Sequence, residues 1–418
     1  MLLIHVFTWL KISFQALFLY VWLGQTAVFY ERVLHLLRTE NILFTKIFQS
    51  LANSSHEHIP SDLRSQLRRY NANASYTDAD INYDALDAIE VEHGIQIDRT
   101  VVNSGMIALV FRGVDASGNT VIVKLRRRGI TESLRAGCRS IKDLYNVAAN
   151  WYPQNIYVRI LRPFIRNIDD IIDQCNFSRE ITNLRTAKED FAPLPFIKIP
   201  AVYNRPEQNE TEYILMEYIE GAHTLPPETS EDVRLKYMEK YFLCFFFALV
   251  ANTIHNTDLH SGNIIFTEDG LGMIDYGMAM QLNDEWHDAV LSIAELIRDK
   301  RPVHEIDFIE TFKGIFEPPL DKATIHNVPV VEELCAGILQ PMLENMEQDE
   351  LKVTDNLMRI SQELGRSVEL NRNMYAMILG YSMMSGQNVI MGLNYPHKDI
   401  IRNLQDRAMD KAFLLVMS

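Results

Sequence analysis

The feature that most constrains the fold of this chain is a short stretch in which aspartate and asparagine recur at fixed spacing. Asp258 is followed five residues later by Asn263 and, twelve residues further on, by Asp275, the first residue of an Asp-Tyr-Gly triplet. The segments 263–266 and 271–274 predict two short strands joined by a turn. Because Mg²⁺ prefers hard oxygen ligands, the amide of Asn263 and the carboxylate of Asp275 are predicted metal ligands.

This spacing is typical of the catalytic loop and the metal loop of kinases. Phosphoryl transfer needs little covalent help from the protein, but it needs divalent metal beside the triphosphate and a residue that orients the nucleophile. Asp258 is therefore predicted to accept or orient the proton of the nucleophile, and Gly277 to permit a sharp backbone turn after Asp275. A capping turn and a hairpin would explain either segment alone, but not both at this spacing.

The rest of the chain separates strand patterns from helix patterns. Helical periodicity fills residues 31–70 and almost everything after residue 230. Short β-branched segments predict strands at 107–112, 120–125, 201–203 and 212–218, with a helical stretch at 132–192 that is broken at 151–153. This order predicts an α+β protein with segregated lobes.

The pattern sets the expected organisation of the chain, a bilobal protein-kinase-like fold with a helical N-terminal extension. We expect a hydrophobic N-terminal helix at 1–38, a helical extension at 39–98, a β-rich N-lobe with a helical insert at 99–218, and a helical C-lobe at 219–418.

Composition excludes several classes of protein. Apolar residues make up 47% of the 418 and charged residues 23%, so the chain is neither disordered nor fibrous. The formal net charge of −15 argues against nucleic acid as a partner, because nucleic-acid binding needs a basic face. The cysteines lack the spacing of a zinc site or a disulfide framework and predict buried, reduced thiols: Cys138, Cys175, Cys244 and Cys335.

The N-terminal segment is the compositional outlier. Residues 12–30 carry no charge, a length that just suffices for a helix to cross a bilayer. A membrane anchor is favoured over a buried or interfacial helix and over a cleaved signal peptide. Arg32, Arg38 and Lys46 come after this segment and only Lys11 precedes it, a bias that places the lobes on the cytoplasmic side. We therefore expect a membrane-associated, intracellular protein.

Lys124 ends a predicted strand, where a kinase lysine contacts the α- and β-phosphates and is held by a helix glutamate. Both Glu132 and Glu180 are candidates for that glutamate on the residues alone. Ser104 and Gly105 lie where a glycine-rich phosphate loop would precede the first strand, although the G-x-G-x-x-G pattern is absent.

The segment from Met216 to Gly221 runs from a predicted strand into a linker. In kinases this join presents backbone donors and acceptors to adenine. Met216, Glu217 and Ile219 are therefore predicted to bind nucleotide.

Together these segments resemble the UbiB/ADCK atypical kinases, a group linked to ubiquinone biosynthesis, over about residues 40–300. The blocks that match the family's order are Lys46-Ile-Phe-Gln49 for K-x-G-Q, Ser104–Ala108 for the alanine-rich loop, Val121–Ile130 for V-A-V-K-V-Q-R-P-G-I, Arg179–Asn183 for R-E-A-x-N, Pro200–Val202 for P-x-V, Met216–Gly221 for M-E-Y-I-x-G, Asp258–Asn263 for D-x-H-x-G-N, and Asp275–Met278 for D-F-G-M. The resemblance implies ATP or ADP with Mg²⁺ as cofactors and selects Glu180 as the partner of Lys124. It also adds Lys46, whose helix would lie across the nucleotide site with the side chain within reach of Asp258 or Asp275.

The chain departs from the family pattern at several positions. Phe48 replaces the glycine of K-x-G-Q, so the helix is expected to pack less closely over the nucleotide. Gln174 and Asn176 replace an acidic pair that would meet the K-x-G-Q lysine or metal. Asn256 replaces the histidine two residues before the catalytic aspartate, and His255 stands one place early.

The segment after the Asp-Tyr-Gly triplet bears on the substrate. From Met278 to Lys300 the chain becomes an amphipathic helix pattern almost at once, no A-P-E segment appears, and little room remains for a loop that presents a peptide. We therefore expect a Mg²⁺-dependent atypical kinase or ATPase at a membrane, acting on lipid or quinone-pathway components. Its expected partners are nucleotide and membrane lipid, with protein partners left open. The alternative is a pseudokinase-like scaffold that binds nucleotide without turnover, and an ordinary protein kinase fits less well.

Overall fold

The computed structural model describes residues 2–45, 48, 60–68, 74, 76–153, 158, 162, 165–166, 168–205, 211–259, 261–282, 284–299, 306–345, 350–374, 377 and 398–417. Its helices are α1 Leu2–Leu23, α2 Ala27–Glu40, α3 Ser61–Arg68, α4 Tyr83–His93, α5 Ile130–Trp151, α6 Asp170–Asp173, α7 Phe177–Asp190, α8 Glu231–Ala251, α9 Asp284–Asp299, α10 Phe308–Phe312, α11 Val328–Asn345, α12 Glu350–Leu364 and α13 Lys398–Met417. Its strands are β1 Gln96–Ser104, β2 Ala108–Val114, β3 Thr120–Arg126, β4 Ile197–Lys198, β5 Tyr213–Glu217, β6 His255–Asn256, β7 Ile264–Phe266, β8 Leu271–Met273, β9 Ala279–Met280, β10 Phe316–Glu317 and β11 Glu369–Leu370.

The first lobe is built on a four-stranded antiparallel sheet in the order β1–β2–β3–β5. Alternate residues of β3, Val121, Val123 and Leu125, are buried on one face, where they join Leu86 and Ile89 of α4 in a hydrophobic core. Because successive side chains of a strand point to opposite faces, Lys124 lies on the other face of the sheet. The strand pattern therefore decides which side of the sheet carries the charged residue.

The second lobe is helical and centred on α8. Almost every residue of α8 from Tyr241 to Val250 is buried, and α8 packs against α9 and α13. The helix begins after Ser230 and ends at Asn252, whose left-handed backbone (φ 51°) stops it. The large aromatic side chains at its centre, Tyr241, Phe242 and Phe246, are fully buried. The α+β class with segregated lobes is confirmed.

Two small antiparallel pairings shape the second lobe's loops. Strands β7 and β8 pair antiparallel, with Ile264 opposite Met273, so the residues just outside the open end of this hairpin lie side by side. Strands β6 and β9 pair with Asn256 opposite Ala279. The first pairing brings position 263 next to position 274, and the second fastens the segment before Asp258 to the segment after Gly277.

Helix α1 is apolar on both sides. Ile12 is buried, and the helix packs against α2 and α5. On its outer side, large apolar side chains stay exposed: Leu10, Phe14, Leu17, Phe18, Val21 and Trp22. Within the described ranges, no helix combines the length and the apolar character that crossing a membrane requires.

The helical extension has its own small core, in which Phe48 takes part. Phe48 is buried beside Leu34 of α2 and Leu67 of α3, and its ring lies 5.7 Å from that of Phe44. The extension is fastened to α5 by Asn41, whose Nδ2 donates to the carbonyl of Gly137 (3.1 Å). The bulky residue in the glycine position of the K-x-G-Q block is thus used to bury apolar surface among the helices of the extension.

Several expected strands are confirmed, and one is shorter than expected. Strands β2, β3, β5, β7 and β8 fall where the residue patterns predict them. The predicted strand at 201–203 is reduced to one antiparallel bridge, between Val202 and Met216 of β5. Two backbone bonds flank this bridge, from Tyr203 N to Leu215 O and from Glu217 N to Ala201 O, both at 2.8 Å. The residue pattern does not predict strand β1, because the polar residues Arg99 and Asn103 take half-buried positions and Val102 is exposed, which breaks up the apolar alternation.

Candidate nucleotide and metal site

Lys124 and Glu180 meet between the sheet and helix α7. The Nζ atom of Lys124 lies 2.5 Å from Oε1 of Glu180, and the Glu180 side chain is only 2% exposed. Helix α7 buries Phe177, Glu180, Ile181 and Leu184 at helical spacing, so the glutamate belongs to the face that packs on the sheet. The other candidate, Glu132, lies exposed in the first turn of α5. Glu180 is therefore the residue that pairs with Lys124.

Asp275 joins the same cluster from the second lobe. Its Oδ2 accepts a hydrogen bond from Lys124 Nζ at 2.7 Å, and its Oδ1 accepts one from the backbone N–H of Gly277 at 2.9 Å. Lys124 therefore connects the sheet, helix α7 and the loop after β8. We call Lys124, Glu180 and Asp275 the cleft cluster.

The charges of the cleft cluster shift one another's protonation. Burial by itself lowers the pKa of Lys124, but the carboxylates of Asp275 and Glu180 outweigh it and raise the pKa above its usual value. Burial, and then the carboxylate of Asp275, raises the pKa of Glu180 to about 7 against the opposing effect of Lys124. Two carboxylates share one ammonium group, so the cluster is arranged to accept further positive charge.

Asp258 and Asn263 lie in the loop between β6 and β7. Asp258 is 6% exposed, and its backbone carbonyl accepts a hydrogen bond from Nδ2 of Asn263 at 2.9 Å. The backbone N–H of Ile274, one residue before Asp275, donates to the carbonyl of Asn263 at 3.2 Å. The β7–β8 hairpin therefore brings the predicted catalytic residue and both predicted metal ligands together.

The chemistry of these ligands fits a magnesium ion. The NH₂ group of Asn263 is used on Asp258, which leaves its Oδ1 as the atom for a metal, and Asp275 supplies a carboxylate. Among the described residues, no group of three or more His, Cys, Asp or Glu side chains forms a complete cage. Mg²⁺ commonly takes one or two protein oxygens and completes its shell with phosphates and water, so Asn263 and Asp275 would hold it together with a bound nucleotide.

A side chain at position 277 would crowd two carboxylates. A Cβ atom at this position would lie 3.2 Å from Oδ1 of Asp275 and 3.4 Å from Oε2 of Glu180. The chain turns at Gly277 as expected, with a φ angle outside the left-handed region, so the nearby carboxylates rather than backbone strain favour glycine here.

The residues predicted to form a phosphate loop make backbone contacts instead of lying open. The hydroxyl of Ser104 donates to the carbonyl of Ala74, and the N–H of Gly105 donates to the carbonyl of Ala108 at 2.9 Å. Ser104 is buried, and its side chain fastens the end of β1 to Ala74, whereas the bond of Gly105 closes the turn between β1 and β2. Because the Ser104 side chain is engaged in this way, only backbone groups of the turn could contact a phosphate.

The predicted adenine segment connects the two lobes. Met216 is buried in β5 opposite Ile122, whereas the carboxylate of Glu217 accepts from the N–H of Ala201 (2.9 Å) and so has a structural role. Ile219 packs so closely on β8 that a Cβ at Gly272 would lie 2.9 Å from its Cγ2. The linker ends at Gly221, where φ is +154° and a Cβ would meet Phe266 O at 2.3 Å.

Three further residues enter the sequence-based prediction: Lys46, Gln174 and Asn176. Lys46 lies outside the described residues, so its expected place in the cleft stays a prediction. Asn176 precedes α7 without a side-chain capping bond, and Gln174 lies two residues earlier. The roles of all predicted site residues in binding and chemistry stay predictions, although the structure brings Lys124, Glu180, Asp258, Asn263 and Asp275 together.

Two asparagines at the site have no role in the sequence-based prediction. Asn183 of α7 donates to the backbone carbonyl of Tyr276 at 2.9 Å, which ties the helix of Glu180 to the Asp-Tyr-Gly loop. Asn256 bonds to the backbone of both Asp258 and Asp275. The sequence feature that could have identified Asn183 is its place in the Arg-Glu-x-x-Asn block. For Asn256, that feature is its replacement of the family's histidine.

Comparison with known families and proteins agrees with this geometry. The family model of the ABC1 atypical kinase-like domain matches residues 92–305, just over half of the 418 residues. The chain therefore belongs to the ABC1 (UbiB/ADCK) family of atypical kinase-like proteins, and its bilobal fold is kinase-like.

Two curated relatives carry no assigned function. The uncharacterized protein slr0889 of Synechocystis sp. is 29% identical over 204 residues, which cover 45% of this chain and 49% of that protein. An uncharacterized protein in the hydrogenase 1 5′ region of Clostridium pasteurianum is 26% identical over 210 residues, 48% of this chain and 38% of that protein. The match thus spans about half or less of the length of these relatives.

Two solved structures that are similar to this chain are complexes with a small molecule. Rv3197 of Mycobacterium tuberculosis, in complex with erythromycin, has a TM-score of 0.41 and 16% identity, covering 71% of this chain and 77% of that one. Rad53 in complex with AMP-PNP has a TM-score of 0.31 and 14% identity, covering 85% of this chain and 66% of that one. The kinase-like class rests on the family match and on the lobes and loops described above.

Proposed function

We propose that the chain is an atypical kinase or ATPase that uses ATP with Mg²⁺. One observation carries the proposal: Lys124 contacts both Glu180 of α7 and Asp275 of the Asp-Tyr-Gly loop, at 2.5 and 2.7 Å. Lys124 would position the α- and β-phosphates, and Asn263 and Asp275 would hold the metal. Asp258 would orient the nucleophile or accept its proton.

The deciding experiment is ATP hydrolysis by the purified full chain with and without Mg²⁺. In Asp258→Asn, turnover should fall by roughly 10²-fold or more while nucleotide still binds, because the shape is kept and the proton acceptor is lost. In Asp275→Asn, the thermal stabilisation by ATP should lose its dependence on Mg²⁺. Asp269→Asn, at the exposed turn of the β7–β8 hairpin, is the matched control.

Two results would overturn this assignment. Equal Mg²⁺-dependent stabilisation by ATP in wild type and Asp275→Asn would remove the metal role. A wild-type rate in Asp258→Asn would mean that the hydrolysis arises elsewhere.

The proposed phosphoryl acceptor is a small molecule, such as a lipid or a quinone-pathway compound. The support is the short distance along the chain between the Asp-Tyr-Gly triplet and the next helix: β9 begins at Ala279 and α9 at Asp284. The backbone of β9 is paired with β6, so it is not available to bind an extended peptide on that edge. Transfer of labelled phosphate to a peptide library but not to a lipid extract would contradict the proposal.

A nucleotide-binding scaffold without turnover is the second candidate. It is favoured by Gln174 and Asn176, which put neutral amides where the family pattern has acids, beside the helix of Glu180. The scaffold would be favoured if the wild-type protein binds ATP tightly but hydrolyses or transfers phosphate no faster than Asp258→Asn does.

We further propose that the protein acts at a membrane through α1, with the lobes on the cytoplasmic side. The supporting residues are the exposed apolar side chains at positions 10, 14, 17, 18, 21 and 22, which recur at helical spacing on one side of α1. Full-length protein should sediment with neutral phosphatidylcholine vesicles in high salt, and Phe14→Ser with Val21→Ser should stay in the supernatant. Val91→Ser, at an exposed valine of α4, is the control. Salt-sensitive binding, or equal binding by the variants, would contradict the proposal.

A further inference from the structure

The side chain of Asn256 donates one hydrogen bond and accepts another, and both join it to residues of the site. Its Nδ2 donates to the backbone carbonyl of Asp275 at 2.6 Å, and its Oδ1 accepts from the backbone N–H of Asp258 at 2.9 Å. A carbonyl can only accept and an N–H can only donate, so the two partners fix the orientation of the amide. The side chain is 8% exposed, which leaves little water to replace either bond.

In the function proposed above, Asp258 orients the nucleophile and Asp275 holds the metal, so the two partners of Asn256 would have to keep a fixed separation. On the far side of Asp258, Asn263 donates to its carbonyl at 2.9 Å, so the backbone of Asp258 is held by an amide side chain on each side. Asp275 is held at its carbonyl by Asn256 and at its carboxylate by Gly277 and Lys124. Asn256 is thus a direct side-chain connection between the loop of the nucleophile and the loop of the metal.

The neighbouring histidine does not share this task. His255 precedes Asn256 on β6, and successive side chains of a strand point to opposite sides. The ring of His255 is buried, and its Nε2 has no hydrogen-bond partner among the described residues. Asn256, which departs from the family pattern, is the residue of this strand that reaches both loops.

We propose that Asn256 is a positioning residue that sets the distance between Asp258 and Asp275. An amide suits this role because it offers a donor and an acceptor at once and does not titrate. A neutral imidazole offers the same pair of groups, but a protonated one has two donors and loses the acceptor for the Asp258 N–H. The proposal rests on the function proposed above, because it assigns Asn256 to the same reaction.

The first experiment compares two buried asparagines with the same bonding pattern. Asn204 donates to the carbonyl of Tyr213 (3.0 Å) and accepts from the N–H of Leu215 (2.9 Å), but it lies beside β5. In Asn256→Asp the acceptor for Asp258 is kept, whereas a carboxylate oxygen replaces the donor that faces the Asp275 carbonyl. We expect kcat to fall roughly 10- to 100-fold with a change in KM for ATP of less than about threefold. Asn204→Asp should keep kcat within about threefold of wild type.

A conservative replacement adds a pH signature. The kcat of Asn256→His, divided by the wild-type value at each pH, should rise as pH increases through the usual imidazole pKa of about 6.5. A wild-type kcat in Asn256→Asp, or an equal fall in Asn204→Asp, would overturn the proposal.

The second experiment needs no turnover, so it separates this inference from the proposed function. Hydrogen exchange of the Asp258 amide should become at least about tenfold faster in Asn256→Leu, which lacks the acceptor, and should stay slow in Asn256→Asp. Asn204→Leu should leave the exchange of this amide unchanged. Unchanged exchange in Asn256→Leu would show that the bond to Asp258 does not hold the loop, whether or not the protein hydrolyses ATP.

Discussion

The cleft cluster and a group of side chains on the surface each place a cation between two carboxylates, and the cation is more buried in the cleft cluster. In the cleft cluster, Lys124 lies between Glu180 and Asp275, and the side chains of Lys124, Glu180 and Asp275 are 12%, 2% and 28% exposed. On the surface, Arg166 contacts Glu317 of β10 and Glu369 of β11, and its side chain is 39% exposed. Arg162 adds a second contact to Glu369 at 3.2 Å. We call these four residues the surface cluster.

The contrast teaches which ion pairs can be functional. In the surface cluster, Glu317 and Glu369 lie directly opposite each other across the β10–β11 pair, where like charges repel. Arg166 offsets that repulsion, but water screens both effects, and exposed pairs contribute little. In the cleft cluster Lys124 and Glu180 are shielded from water, so the charges strongly affect one another's protonation. A shielded, charge-rich group facing a cleft is suited to bind polyphosphate and metal, whereas the surface cluster joins two segments of the chain.

The largest expected difference comes from removing each cation. Lys124→Met leaves two carboxylates facing each other in a shielded site and should lower the free energy of unfolding by roughly 3 kcal/mol at pH 8. Arg166→Met should lower it by no more than about 1 kcal/mol. Urea denaturation of both variants in the same low-salt buffer measures the difference. Equal losses of unfolding free energy in the two variants would show that burial does not make the cleft cluster more important for stability than the surface cluster.

The protonation of Glu180 provides a second, smaller difference. Its pKa is raised from 4.5 to about 7, so the folded state binds the proton more tightly than the unfolded state does. That stabilising contribution is complete below about pH 4.5 and is lost as pH rises through about 7.

The matched variant for this effect is Glu180→Gln, which cannot titrate. The difference in unfolding free energy between wild type and Glu180→Gln should therefore shift by about 1–3 kcal/mol between pH 5 and pH 7.5, in favour of the variant at the higher pH. Glu369→Gln, which removes a carboxylate from the surface cluster, is the comparison variant. If the difference in unfolding free energy between wild type and Glu180→Gln does not change from pH 5 to pH 7.5, the raised pKa of Glu180 is contradicted.

The same contrast explains how much the sequence alone could predict. The cleft residues are identifiable because their chemistry demands particular side chains at particular spacings, and Lys124, Glu180 and Asp275 do meet. The residues alone could not choose Glu180 over Glu132, since the choice depends on which helix packs on the sheet. The resemblance to the family makes that choice, and the contact agrees with it.

Other features depend on tertiary contacts that leave little trace in a local pattern. Strand β1 lies beside β2 at the edge of the sheet, and two of its half-buried positions carry the polar residues Arg99 and Asn103, so the strand has no clear alternation. Strands β6 and β9 are two residues each and exist because the loops around Asp258 and Gly277 are bonded to one another. The burial of Phe48 against α2 and α3 likewise requires knowing how the extension folds.

The smallest expected effect is the response of the surface cluster to salt. The side chains of Glu369, Arg166 and Glu317 are 27%, 39% and 50% exposed, so dissolved ions reach them. At 1 M salt the screening length is about 3 Å, close to the contact distance itself. The coupling between Arg166→Met and Glu317→Gln, from a double-mutant cycle, should be below about 1 kcal/mol in 50 mM NaCl and should approach zero in 1 M NaCl. The cycle for Lys124→Met and Glu180→Gln should keep most of its larger coupling at both salt concentrations, because its charges are shielded. A surface coupling above about 2 kcal/mol that persists in 1 M NaCl would mean that Arg166 holds β10 and β11 as firmly as Lys124 holds the cleft.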